Sequence, residues 1–160
     1  MRVGLMTQTT GADADEEEIR RVDVELLIRH PSLTPPEIAA ALGLEGHFTH
    51  CVGDRRKTPK GTLLEGVYAE TSWRHGIRHE IRNQHFAAKV AELVDRLLPH
   101  RAFLHKLHAT GGSAEIIVQF LGDGYHGDDL PVETLAKMVD LQLDLGLEVF
   151  TVPQNKPAFD

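Results

Sequence analysis

The stretch at residues 83–98, NQHFAAKVAELVDRLL, decides the fold class. Phe86, Val90, Leu93, Val94 and Leu97 recur at helical spacing, while Lys89, Glu92, Asp95 and Arg96 fall on the other side. This pattern predicts an amphipathic helix, with Asn83 as an acceptable N-cap. A stripe this apolar must lie on another layer. The candidates are strand-like runs on both sides of it in sequence.

Upstream, Val22, Val24, Leu26 and Ile28 alternate with Asp23 and Glu25, the period of a half-buried strand. After His30-Pro31-Ser32 comes the strongest local signal, LTPPEI at residues 33–38. Thr34 suits an N-cap, Pro35 the first helical position, and Glu37 completes a capping box. Leu33 and Ile38 stand where a hydrophobic staple needs them. Gly43 ends the short helix, and Leu44 can fold back on it.

Residues 47–52 have the character of a strand, and Gly53-Asp54 of a turn. The polar stretch from Arg55 to Gly61 reads as an exposed loop, and Val67 to Arg74 as a strand ending near Trp73, the only tryptophan. Downstream of the long helix, Pro99 fits the first turn of a continuation that Thr110-Gly111-Gly112 stops. Residues 113–121, with Ile116, Ile117, Val118 and Phe120, suggest a central strand. Pro131 and Glu133 open a last helix, with Leu135, Met138 and Val139 expected to face inward. Leu145 to Val152 is the final strand.

The resulting order is β-α-β-β-α-β-α-β. It predicts an α+β, two-layer domain: one mixed or antiparallel sheet of about five strands, with helices mainly on one face. The first six elements match the ferredoxin-like order. Residues 1–18, with Asp13, Asp15, Glu16, Glu17 and Glu18, read as a mobile acidic leader, residues 19–152 as a single domain and residues 153–160 as a loose tail.

Composition narrows the class. A chain of 160 residues can bury a core without disulfides or metals. The one cysteine, Cys51, and a start without a signal-peptide h-region point to the cytoplasm. No apolar run approaches a membrane span. The formal net charge of −7 argues against nucleic acid, the nearest basic patch being Arg55-Arg56-Lys57 with Lys60.

The tempting site motifs are incomplete. GDGYHG at 122–127 is a GxGxxG, but the helix begins only past it, and Asp123, Asp128 and Asp129 would oppose a pyrophosphate. The same aspartates lack the spacing and closing Glu of a calcium loop. HEIRN at 79–83 has Asn83 where a zincin needs its second His. His47, His50 and Cys51 are metal-ligand types, which His75 or His79 could join. On a strand, however, His50 and Cys51 point to opposite faces. With three serines, no GxSxG and no P-loop, no catalytic constellation is apparent, and no cofactor is implied.

Two readings of function follow. The leading one is a non-enzymatic binding domain for a protein partner or for itself, as a homodimer. The alternative is a small-ligand or metal site that uses Trp73 with Gly53, Asp54, Arg55 and the His47–Cys51 stretch. A lone Trp at a strand end serves as a core anchor or as a stacking platform, and the core anchor is the commoner role. An enzyme whose residues are dispersed along the chain is a third reading.

The run from Val22 to Leu44 resembles the opening of a bacterial family catalogued as domain of unknown function 4279. Its members show a strand, an x-x-P-x-E-I-x-x-x-L-G helix, a Gly-acid pair inside a basic loop, a Trp closing a strand, a long helix, and a late helix leading into an apolar strand. Here these are Pro36 to Gly43, Gly53-Asp54 with Arg55 and Arg56, Trp73, residues 83–107, and Leu130 to Val152. The resemblance covers residues 20–152. Segment 74–82 departs from it, being longer and richer in His and Arg. The resemblance implies the α+β fold and brings no activity, cofactor or catalytic residue.

Overall fold

The computed structural model describes residues 21–77, 85–121 and 127–150. Five strands form the main sheet: β1 (Arg21–His30), β2 (Phe48–His50), β5 (Thr71–Ile77), β6 (Ser113–Leu121) and β7 (Asp144–Phe150). Their order is β2-β5-β1-β6-β7. All contacts are antiparallel except β6 with β7. A separate two-stranded ribbon pairs β3 (Arg55–Lys57) with β4 (Leu63–Val67). The expected α+β domain and its sheet of five strands are therefore present.

The helices lie on connections between parallel strands. Helix α1 (Pro35–Leu42) links β1 to β2 across β5. Helices α2 (Phe86–Leu97) and α3 (Arg101–Ala109), joined by a 3₁₀ turn at Leu98–His100, stand between β5 and β6, which flank β1. These two interleaved crossovers are the ferredoxin-like order. Helix α4 (Val132–Asp140) then carries the chain from β6 to β7.

Local chemistry accounts for the elements. The Glu37 carboxylate accepts from the Thr34 backbone N–H and from its hydroxyl, both at 2.7 Å. Gly43 ends α1 at φ 62°, and Leu44 N–H donates to the Ala39 carbonyl at 3.3 Å. Pro99 sits inside the 3₁₀ turn, where its missing N–H is tolerated.

One sheet face carries the core. Val22, Val24, Leu26, Ile28 and His30 on β1 share it with Thr71, Trp73 and His75 on β5 and with Ala114, Ile116 and Val118 on β6, all buried. Ile38, Leu42, Val90, Leu93, Val94, Leu97, Leu104, Leu107 and Met138 from the helices pack in the same cluster. Trp73 is wholly buried, and an added Cβ at Gly46 would meet its Cδ1 at 2.7 Å.

Five sequence expectations change. Of the stretch from Arg55 to Gly61 expected as an exposed loop, Arg55–Lys57 is strand β3 and the rest turns the chain into β4, and the strand expected over Val67 to Arg74 divides into β4 and β5 around Tyr68–Glu70. Helix α2 is capped at His85, and Asn83 lies outside the described residues. Lys89, expected in solvent, is buried, because its Nζ reaches the Val22 carbonyl at 2.6 Å. Leu135 and Val139 face outward; Thr134 and Met138 are the buried residues of α4. The expected leader and tail, the HEIRN segment and the first five residues of the GxGxxG also lie outside the described residues.

His30 closes the end of β1. Its Nδ1 accepts from the Leu33 N–H at 2.9 Å and the Ser32 N–H at 3.1 Å, and its Nε2–H donates to the Thr110 hydroxyl at 2.9 Å. This arrangement requires the neutral ring, and burial holds the His30 pKa below 6.5 despite Glu37. Burial also lowers the pKa of His50 and of His75.

Two outcomes follow. The unfolded chain takes up protons on these histidines before the folded chain does, so their contribution is complete above the ordinary value of 6.5 and is lost as pH falls through the lower folded values. Urea midpoints measured from pH 8 downward should therefore fall below about pH 6.5, and His30→Gln should flatten the slope. Gly46→Ala should cost about 1–3 kcal/mol by crowding Trp73, read as a lower urea midpoint at unchanged m-value.

Candidate functional site

On the sheet face away from the helices, residues alternate differently. Arg29 of β1, Ser72 and Arg74 of β5, and Phe48 and His50 of β2 share it by register: Arg29 opposes Ser72, which opposes His50, while Arg74 opposes Phe48. The ribbon brings Lys57, Thr58 and Pro59 against them, and the β4–β5 link adds Tyr68 and Glu70. Between ribbon and sheet lies a cleft of about 530 Å³ lined by these residues and Thr49.

The ribbon is tied down by backbone bonds. Gly53 N–H donates to the Tyr68 carbonyl and Tyr68 N–H to the Asp54 carbonyl, both at 2.9 Å. Gly53 turns at φ 83°, in the left-handed region, where a Cβ would be strained. The Tyr68 hydroxyl lies 3.3 Å from both the N–H and the carbonyl of Lys57. Arg55 Nε donates to the Leu64 carbonyl at 3.3 Å, across the ribbon. The Thr71 hydroxyl accepts from Val52 N–H at 3.0 Å and faces the Cys51 sulfur at 3.9 Å.

The cleft is electropositive. Arg29, Arg74 and Lys57 line it, with Glu70 as the only lining carboxylate among the described residues. Arg29 Nε stands 3.7 Å from Glu70, with both side chains about half exposed, a pairing too loose to hold either. Arg74 donates to Glu25 at 3.1 Å. Lys57 forms no ion pair among the described residues. His50 stacks on Tyr68 with ring centroids 3.8 Å apart, and burial lowers its pKa against the upward pull of Glu70 and Asp54. Ser72 and His50 are register partners, but no hydrogen bond joins them, and the His50 ring is given over to Tyr68.

The residues expected at a site are dispersed. Trp73 lies in the core, stacked on His75 at 6.0 Å, on the face opposite the cleft. Gly53, Asp54 and Arg55 shape the ribbon without lining the cleft. His47 stacks on His75 at 5.3 Å and accepts from Gly76 N–H at 3.2 Å. His50 faces the cleft, and Cys51 stays with Thr71. No group of three or more His, Cys, Asp or Glu converges as a metal would need among the described residues. Sequence reasoning misses Arg29, Tyr68, Glu70 and Arg74 as cleft residues; the signal for Arg29 is its place on the polar alternate positions of β1.

The chain belongs to the family whose model, Domain of unknown function (DUF4279), matches residues 17–150. No curated protein and no solved structure matches it. No helix among the described residues is long and apolar enough to cross a membrane.

If Tyr68 anchors the ribbon over the sheet, Tyr68→Ala should loosen it. Amide hydrogen exchange over residues 55–67 should then rise sharply while exchange in β1 and β6 is unchanged.

Proposed function

We propose that this chain is a non-enzymatic binding domain whose cleft holds a small anionic ligand, a carboxylate or phosphate. One observation carries the reading: three permanent cations converge on one concave surface, Arg74 held by Glu25, Arg29 only loosely by Glu70 and Lys57 by no ion pair among the described residues, in a chain of formal net charge −7. Clustering cations against the overall charge costs repulsion that a bound anion relieves. The Arg29 and Arg74 guanidinium groups offer forked donors suited to oxyanions, and Lys57 adds a compact charge from the opposite wall. The Tyr68–His50 stack supplies a flat apolar surface beside them. The single cysteine, which allows no internal disulfide, fits a reducing, cytoplasmic setting for this binding.

The test is titration calorimetry with inorganic phosphate and with citrate. At least one should bind with an affinity that falls as salt rises. Arg29→Ala with Lys57→Ala should weaken it about tenfold or more. Burial holds the His50 pKa low, so the ring gains its charge only below the ordinary imidazole value; sulfate, whose own charge is constant in that range, should therefore bind more tightly as pH falls through it. Heats indistinguishable from dilution for both phosphate and citrate, or affinity unchanged in the double variant, would remove the reading.

A further inference from the structure

Helix α4 is built the wrong way round for a monomer. Val132, Leu135, Ala136 and Val139 follow the i, i+3, i+4, i+7 spacing of one helical stripe. All four are exposed, Val132 at 82% and Val139 at 76%. Lys137 and Asp140 of α4 turn instead toward neighbouring helices, while Glu133 stays exposed beside Lys137. Lys137 reaches Asp95 of α2 at 2.9 Å, and Asp140 accepts from Arg101 of α3 at 2.7 Å. The Asp140 carbonyl also accepts from His105 Nε2–H at 2.6 Å. The apolar stripe is thus left exposed, on the side of α4 away from α2 and α3.

A second feature follows α4 in the chain. Strand β7 is an edge strand, and its outer backbone row has no partner strand among the described residues. On the helix-bearing face it presents Leu145, Leu147 and Val149, exposed at 40%, 61% and 68%. Its protections as an edge are few: no Lys and no Pro, with Asp144 and Glu148 its only charges, over seven residues of regular pairing to β6.

We infer that β7 and α4 together form a homodimer interface in which β7 pairs antiparallel with β7 of a second copy. A two-fold axis normal to the sheet would join the two sheets edge to edge and keep both helical layers on the same side. The two α4 stripes would then meet above the joint. The sequence favours one register, centred on Leu147. It sets Leu147 against its symmetry mate and Leu145 against Val149, so the helix-side face of the joint is wholly aliphatic. On the other face it sets Glu148 against Gly146 and Asp144 against Phe150, so no carboxylate faces another. Six aliphatic side chains of α4 and β7 are exposed here by 40% or more, the apolar surface that a joint burying about 800 Å² on each partner would draw on. This interface lies at the opposite end of the sheet from the cleft and does not depend on it.

The experiment is sedimentation velocity on the full chain from micromolar to sub-millimolar concentration, together with Leu147→Cys in a Cys51→Ser background. Wild type should sediment as a dimer. Val139→Asp and Leu147→Asp should each weaken association by about a hundredfold while keeping the wild-type circular dichroism and the response to phosphate. Val139 is exposed in the protomer, so that substitution does not touch the core. The Leu147→Cys variant should form an intermolecular disulfide under mild oxidation, because cross-strand Cβ atoms on the axis stand about 4.5–5.5 Å apart, and a small approach at the exposed joint brings them to the ~3.5–4.5 Å that a disulfide spans. Phe48→Cys in the same background, exposed on the far edge strand, should not. A strictly monomeric wild type would overturn the proposal and reassign the surface to a different partner. A dimer that survives both aspartates, or one that fails to cross-link through Leu147→Cys, would overturn it as well.

Discussion

The handedness of the crossover connections governs this molecule. With the order β2-β5-β1-β6-β7, the chain runs from β1 to β2 in one direction across the sheet. It runs from β5 to β6 and from β6 to β7 in the other, on strands pointing the opposite way. A right-handed connection in each case puts its helix on the same face. Every helix therefore competes for one surface, and that surface must be apolar. Among the described residues the other face receives only the short β3–β4 ribbon, although Leu27 and Ile117 on it are buried too. Arg29, Arg74 and Glu25 can stand there because no helix has to cover them.

The same constraint concentrates polar burial where connections leave the sheet. His30 sits at the end of β1, where the turn into α1 and the end of α3 meet. One neutral imidazole satisfies two N–H groups and one hydroxyl that the crossovers would otherwise strand. Lys89 plays a comparable part at the other end of β1, on the Val22 carbonyl. Both residues are polar and neither marks a binding site. Their burial follows from how tightly the helical layer is drawn over β1.

What is legible in the sequence tracks what is local. The α1 cap, the β1 alternation and the α2 stripe each rest on residues within one or two turns of each other, and each forms as expected. Periodicity shows that α4 has an apolar stripe, but not which surface is covered. It directs Leu135 and Val139 into a core that Thr134 and Met138 fill instead. Lys89 reads as solvent-facing while its charge is counted and its apolar stem is not. The ribbon escapes notice because its strands are short and exposed and show no alternation of burial. The cleft draws on β1, β2, β5 and the ribbon, so sheet register alone assembles it. Sequence marks His50 for a different chemistry, and it marks Trp73, which the register turns into the core.

The two surfaces that remain are opposite in chemistry and lie at opposite ends of one sheet. The cationic cleft belongs to the β2–β5 end, and the aliphatic edge to β7 and α4. Four inter-strand steps of about 4.8 Å each separate the edges, so they stand roughly 20 Å apart. That exceeds the screening length at physiological salt, so charge bound at one end has little direct effect on contacts at the other. Edge-to-edge association through β7 would therefore leave both clefts open at the outer ends of a continuous sheet. Each cleft keeps its own ribbon, and the joint between copies is made of side chains that take no part in anion binding. A fold that spends one face on its helices still has an open face and a free edge, and the sequence furnishes the first with cations and the second with aliphatic side chains.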